Sequence, residues 1–386
     1  MHKTVLSIII LMIMSIDICA KEDISSITLE VQVETAPSNN FLKTINGNVR
    51  LGYQHDDNDN ADLALGGKLH IETNDWYGLS AGASFYTTNH LGQHDGATVP
   101  FFDANNDSYS LLGEAYIQGQ WGNTTLKVGR QEIDTPFADT DDLGMVPNTF
   151  EAAVFTNTDI ADTTIVLMQV QKMSGVDSED AGEFNKLNGS DGVQILGLSY
   201  EGIAHTTLTG WFYNVSGEGQ ISYFDASYED ETDTYTYGAV AQYVMQNYEH
   251  GEDSTIYGVA ASFGIKYLGL TSTLAYNKTE GRAAENFFGG GPFLTNAEHN
   301  TLKEAGIDGN TLLLTLEWDA ASAGLDGLNF ILNIDGHHGE KKDAHEYDFG
   351  VEYAFNDTTQ FSAIYSHVDD NEDSFKNLRL FVNYTF

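Results

Sequence analysis

Cysteine is almost missing from this chain of 386 residues, and the single one, Cys19, falls within the first twenty. That excludes a disulfide framework and a cysteine-ligated metal site in everything downstream. Proline is scarce, at 5, which suits long paired strands because proline donates nothing to a ladder. Cationic side chains are few: Lys and Arg total 17 against 57 Asp and Glu, for a formal net charge of −40. So acidic a surface excludes nucleic acid as a partner and favours cations and a hydrated exterior. Beyond residue 20 there is no run of ~18 apolar residues, so no membrane-spanning helix is expected. A transmembrane barrel survives that test, since its strand needs only ~10 residues with every second one apolar. Aromatics, by contrast, are plentiful, with 20 Tyr, 21 Phe and 4 Trp, which argues against a disordered chain.

Residues 1–20 read as a signal peptide: Lys3 opens it, Val5 to Ile16 form an apolar core, and Ala20 precedes the cut. Asp17 and Ile18 fit the pattern imperfectly, and the bulk of Ile18 argues against lipidation at Cys19. Residues 21–44 are expected to be a short periplasmic segment, too short for a plug domain, and 45–386 a single barrel domain.

From residue 45 the dominant period is two. Val49, Leu51 and Tyr53 alternate with Asn48, Arg50 and Gly52; Leu63, Leu65, Leu69 and Ile71 alternate with Ala64, Gly66, Lys68 and His70. Tyr347, Phe349, Val351 and Tyr353 repeat the pattern, as do Leu378, Leu380, Val382, Tyr384 and Phe386 at the end. About 18 such segments recur, the first at 45–55 and the last at 376–386; 76–88, 221–228, 235–246 and 268–278 are among them. The longest connections, 89–109, 133–149, 173–192 and 279–310, are all odd-numbered, while the even-numbered ones are mostly tight. This predicts an all-β fold, a transmembrane antiparallel β-barrel with long extracellular loops and short periplasmic turns. A soluble sandwich also alternates, but it needs neither so many strands nor loops of alternating length.

Gly129-Arg130-Gln131-Glu132-Ile133-Asp134-Thr135-Pro136-Phe137, followed by Asp141-Asp142-Leu143-Gly144-Met145-Val146-Pro147-Asn148-Thr149-Phe150-Glu151-Ala152, resembles the third-loop segment of OprD-type outer-membrane porins. Asn46 to Tyr53 is similar to that family's first strand, and the acidity and size are similar to the porins of epsilonproteobacteria. The resemblance implies a homotrimeric barrel in the Gram-negative outer membrane, bathed in outer membrane lipid. It also implies passive diffusion of ions and small hydrophilic solutes, a third loop folded into the lumen, and a ladder of basic residues on the wall. That ladder is thin here, since the only arginines are Arg50, Arg130, Arg282 and Arg379.

Strand parity sorts the candidate residues. Arg50, Lys68, Lys127 and Arg379 fall between apolar neighbours and are expected to line the lumen, because a charge facing lipid at mid-depth costs roughly 2–4 kcal/mol. Arg130 is placed with them as pore-lining although its parity is opposite. Glu132, Asp134, Asp139, Asp141 and Asp142 are expected to set an acidic constriction loop against that wall, giving a transverse field and a cation preference. Asp56, Asp57, Asp59 and Asp62 are oxygen-rich candidates for weakly held Ca²⁺, although the spacing of an EF-hand is missing. No other cofactor and no enzyme motif is expected: the chain has no GxSxG, HExxH or phosphate loop, and Ser366-His367 sit on opposite strand faces. The same alternation separates His337 from His338 beside Asp335. The alternative reading is a closed-lumen adhesin that uses the segment Phe287-Phe288-Gly289-Gly290-Gly291-Pro292-Phe293 to contact a partner.

Overall fold

A computed structural model describes residues 41–57, 61–92, 100–187, 189, 191–339, 343–370 and 374–386. The signal peptide and nearly all of the segment 21–44 lie outside the described residues. Eighteen long strands form the fold: β1 (Leu42–Asp56), β2 (Ala61–Thr73), β3 (Leu79–His90), β4 (Tyr109–Trp121), β5 (Thr124–Gln131), β6 (Thr149–Asn157), β7 (Thr163–Ser174), β8 (Val193–Ile203) and β9 (Thr206–Val215). They continue as β10 (Gly219–Glu231), β11 (Tyr235–Tyr248), β12 (Ser254–Ile265), β13 (Leu270–Gly281), β14 (Asn310–Asp319), β15 (Leu328–His338), β16 (Asp343–Asn356), β17 (Thr359–Asp370) and β18 (Ser374–Thr385). Each pairs antiparallel with the next, and β18 returns to β1 with Val382 opposite Leu51. The closed ladder leaves no edge, so the main-chain polar groups of the wall are satisfied without water, as a lipid environment demands.

Alternation explains which face each residue takes. On β2, Leu65 is exposed on the outside, while Ala64, Gly66 and Lys68 point into the lumen. On β5, Leu126 and Val128 are exposed outside and Lys127 points inward. Exposed aromatics gather outside near the short-turn rim, among them Trp121, Tyr200, Tyr235, Trp318, Phe355 and Tyr384, in the place of the interfacial girdle of a membrane barrel.

Boundaries differ from the sequence expectation where backbone geometry intervenes. β1 starts at Leu42 rather than 45, and β10 and β11 run longer than 221–228 and 235–246. Residues 76–78 and 268–269 belong to turns instead of strands. Tyr77, Gly78 and Gly269 take the left-handed conformation (φ of 54°, 84° and 64°), which ends an extended run.

The core of this protein lies inside the barrel. One cluster packs Ile133, Phe137 and Ala138 of loop 132–148, and Ala284, Phe293, Leu302 and Ala305 of loop 282–309, onto wall residues such as Tyr213, Tyr223 and Val244. A second packs Phe101 and Phe102 of loop 91–108 with Met145, Val146 and Phe381. Long loops thus fold back into the lumen and are held there by apolar burial.

Candidate functional site

The loop 132–148 enters the lumen as a small hairpin in which Asp134 pairs with Asp139 and Thr135 with Ala138. The Thr135 hydroxyl donates to the Ala138 carbonyl at 2.9 Å and accepts that residue's N–H at 3.1 Å, closing the tip around Pro136 and Phe137. The Phe137 ring is fully buried and meets Tyr213, Tyr223, Phe287 and Phe293 edge-on at 5.6–6.2 Å. Its backbone N–H donates to the Tyr213 hydroxyl at 3.3 Å. On the far side of the loop, Met145 reaches the wall at Gly52. A Cβ there would lie 2.6 Å from the Met145 sulfur and 2.9 Å from the Phe381 ring, so only glycine lets the loop approach.

Two of the basic sequence candidates, Arg50 and Lys68, meet this loop, while Lys127 and Arg379 find their partners elsewhere in the lumen. Arg50 makes a bidentate pair with Asp142 (2.6 and 2.7 Å), donates to the Gly144 carbonyl at 2.7 Å, and is steadied by Asn383 at 2.8 Å. Lys68 lies 2.7 Å from Glu132 and 3.0 Å from Glu114, with the Tyr86 hydroxyl donating to Glu132 at 2.8 Å. Lys127 sits 3.9 Å above the Tyr116 ring and 4.0 Å from Glu114. Arg379, nearly buried, pairs with Glu298 from the loop 282–309. Asp134, Asp139 and Asp141 form no ion pair among the described residues.

The charge of that loop is shifted by its setting. Burial, together with Asp177, Asp139 and Glu298, pushes the Asp141 carboxyl up to about 6. Burial and Asp134 raise Asp139 as well. Burial raises Asp177, which accepts from Asn148 at 2.6 Å.

Arg130 departs from the expectation. It stands with Leu126 and Val128 on the outward face, its guanidinium 4.3 Å above the Phe184 ring and bonded to the Leu112 carbonyl at 3.1 Å. It does not reach the lumen because no bulge interrupts β5 between Val128 and Arg130. Of the acidic loop-tip candidates, Asp62 turns inward to His90 at 2.9 Å, Asp56 and Asp57 stay at the rim, and Asp59 lies outside the described residues. Among the described residues no group of three or more His, Asp or Glu is arranged to hold a metal ion. His337 is buried and 2.5 Å from Asp335, whereas His338 is exposed.

Glu114 and Glu298 were not singled out from sequence. Simple alternation puts Glu114 on the face of Leu112, which is exposed outside; a bulge at Gly113 flips it into the lumen. The phenylalanines considered for adhesion turn inward as well. Phe293 is buried, Phe287 and Phe288 pack on the cluster around Phe137, and Ala138 bridges to Phe288.

Comparison with known proteins follows the geometry. The sequence model described as outer membrane porin, OprD family, matches residues 102–386. No curated protein matches the chain by sequence. Among solved structures, OpdK of Pseudomonas aeruginosa, solved with vanillate, is similar at a TM-score of 0.78 and 17% identity, over 90% of this chain and 99% of that one. A BenF-like porin from Pseudomonas fluorescens Pf-5 gives 0.79 and 15% over 89% and 98%. OccAB4 of Acinetobacter baumannii gives 0.77 and 18% over 90% and 99%.

Proposed function

The chain belongs to the OprD family of outer membrane porins, a channel for small solutes across the Gram-negative outer membrane, and we propose that its passage prefers cations. The observation that carries this is the masking of the wall cations: Arg50 is held by Asp142, Lys68 by Glu114 and Glu132, and Arg379 by Glu298. Asp134 and Asp139 are left as surplus negative charge on the loop in the lumen. In a narrow aqueous passage, fixed charge of one sign raises the local concentration of the opposite ion. The driving force is the solute gradient alone, and the reading is of transport, not catalysis.

OpdK was solved with vanillate, a carboxylate. Here the guanidinium and ammonium groups that would receive a carboxylate are already occupied by the protein's own acids, which favours neutral and cationic solutes. We read the barrel as a homotrimer, which cross-linking in native membrane tests.

The test of ion preference is single-channel recording of the refolded protein in a planar bilayer, with the reversal potential read under a KCl gradient. Stepwise openings with a cation-side potential support the proposal. An anion-side potential refutes the preference, and a folded barrel without openings refutes the channel.

A further inference from the structure

Loop 282–309 is tied to the wall by three consecutive backbone amides. Glu298 N–H donates to Asp348 Oδ2 at 3.3 Å, His299 N–H to Glu346 Oε1 at 2.9 Å, and Asn300 N–H to Glu346 Oε2 at 2.7 Å. Glu346 and Asp348 occupy the inward face of β16, both fully buried, while Tyr347 and Phe349 between and beside them face outward. A carboxyl group suits this role, because each of its two oxygens accepts from one peptide N–H. The segment so fixed carries the Glu298 side chain onto Arg379 of β18. Arg379 lies 5.9 Å from the Phe381 ring, and Arg50 lies 5.0 Å from the same ring. The two arginines therefore share one stretch of wall, and each is covered by an acid from a different loop.

We propose that Glu346 is a positioning residue, aided by Asp348. By fixing the amides at 298–300 it holds Glu298 on Arg379 and keeps that guanidinium from serving as an anion site in the lumen. This rests on the channel reading and deepens it: preference is set by two loops, through Asp142 on Arg50 and through Glu298 on Arg379. The rest of loop 282–309 is anchored separately. Gln246 donates to the Glu285 carbonyl at 2.7 Å and accepts its N–H at 3.0 Å, and Gln242 donates to the Pro292 carbonyl at 2.7 Å. Loosening 298–300 therefore leaves 285–293 in place.

The test compares reversal potentials of the refolded full-length barrel for the parent, Glu298→Gln, Glu346→Gln, Glu346→Asp and the double variant Glu298→Gln/Glu346→Gln. Heat-modifiable gel migration checks that each variant has closed its barrel. Glu298→Gln unmasks Arg379 directly and is expected to shift the potential toward anions. Glu346→Gln offers one acceptor and one N–H₂ where two acceptors are needed, and is expected to give at least half that shift. Glu346→Asp keeps the carboxyl group but shortens the reach, so it is expected to shift too. The double variant is expected to go no further than Glu298→Gln.

An unshifted Glu346→Asp beside a shifted Glu346→Gln overturns positioning, because Glu346 then acts through its own charge. A double variant whose shift is the sum of the two single shifts overturns it as well. Unshifted variants in an open channel overturn this proposal alone. A refolded parent that opens no channel overturns the channel reading and this proposal with it.

Discussion

Replacing Phe137 with alanine is expected to undock the tip of loop 132–148 while the barrel stays closed. The ring is fully buried against four aromatic partners, and truncating such a side chain costs about 3–5 kcal/mol. None of that cost falls on the ladder, because Phe137 belongs to neither neighbour of the gap, β5 or β6, which pair directly with each other. It falls on the equilibrium between docked and free loop. At 1.4 kcal/mol per tenfold, the lower figure shifts that equilibrium roughly a hundredfold. Single-channel traces of the variant are expected to show a larger conductance with frequent flicker, and the loop of the folded barrel is expected to become cleavable by protease. A variant with parental conductance, parental noise and full protection would refute the idea that apolar burial of this ring keeps the loop in the lumen.

Asp142→Asn removes the bidentate partner of Arg50 and leaves its bonds to Asn383 and Gly144. One unit charge at ~7 Å in a water-like medium is worth about 0.6 kcal/mol, lost by the cation and gained by the anion, so the cation-to-anion permeability ratio is expected to fall about sevenfold in the KCl gradient. Asp141, raised to about 6, gains its proton as pH falls through that value, so the reversal potential is expected to move toward anions between pH 7 and pH 5. The sign for stability is that of a raised acid. Its contribution is fully present below the ordinary value of 3.8 and is lost as pH rises through about 6, which urea titration of the refolded barrel between pH 4 and pH 7 checks. Arg130→Ala, on the outer wall, is expected to leave the reversal potential unchanged, and a shift toward cations would return Arg130 to the passage.

The wall was legible and the lumen only half so, for a physical reason. A period of two reports the face of each residue wherever the pleat runs unbroken, and Arg50, Lys68, Lys127 and Arg379 all took the side their neighbours imposed. One extra residue defeats the rule. Gly113 inserts a bulge in β4, and Glu114 changes side relative to Leu112. Sequence parity alone would have left Lys68 without one of its two acids. Arg130 shows the converse: its parity was correct, and grouping it with the lumen residues set that parity aside where no bulge exists to justify doing so.

Partners are a different matter from faces. Arg50 meets Asn383 across 333 residues of chain, and Arg379 meets Glu298 across 81; nothing local in either segment specifies such a pairing. The same holds for loop 282–309. Its phenylalanines and glycines are as consistent with an exposed adhesive tip as with a buried plug, and what decides is the complement on the wall. Gln242 and Gln246 offer amides to its backbone, Glu346 and Asp348 offer carboxylates, and Phe137 offers a ring. Each of these stands on the inward parity of its strand or at the tip of the neighbouring loop. A run of buried-parity Gln, Glu and Asp on the strands of a barrel is costly unless it is hydrogen-bonded. Such a run therefore signals that a loop folds in to satisfy it, and that signal lies in the strands rather than in the loop.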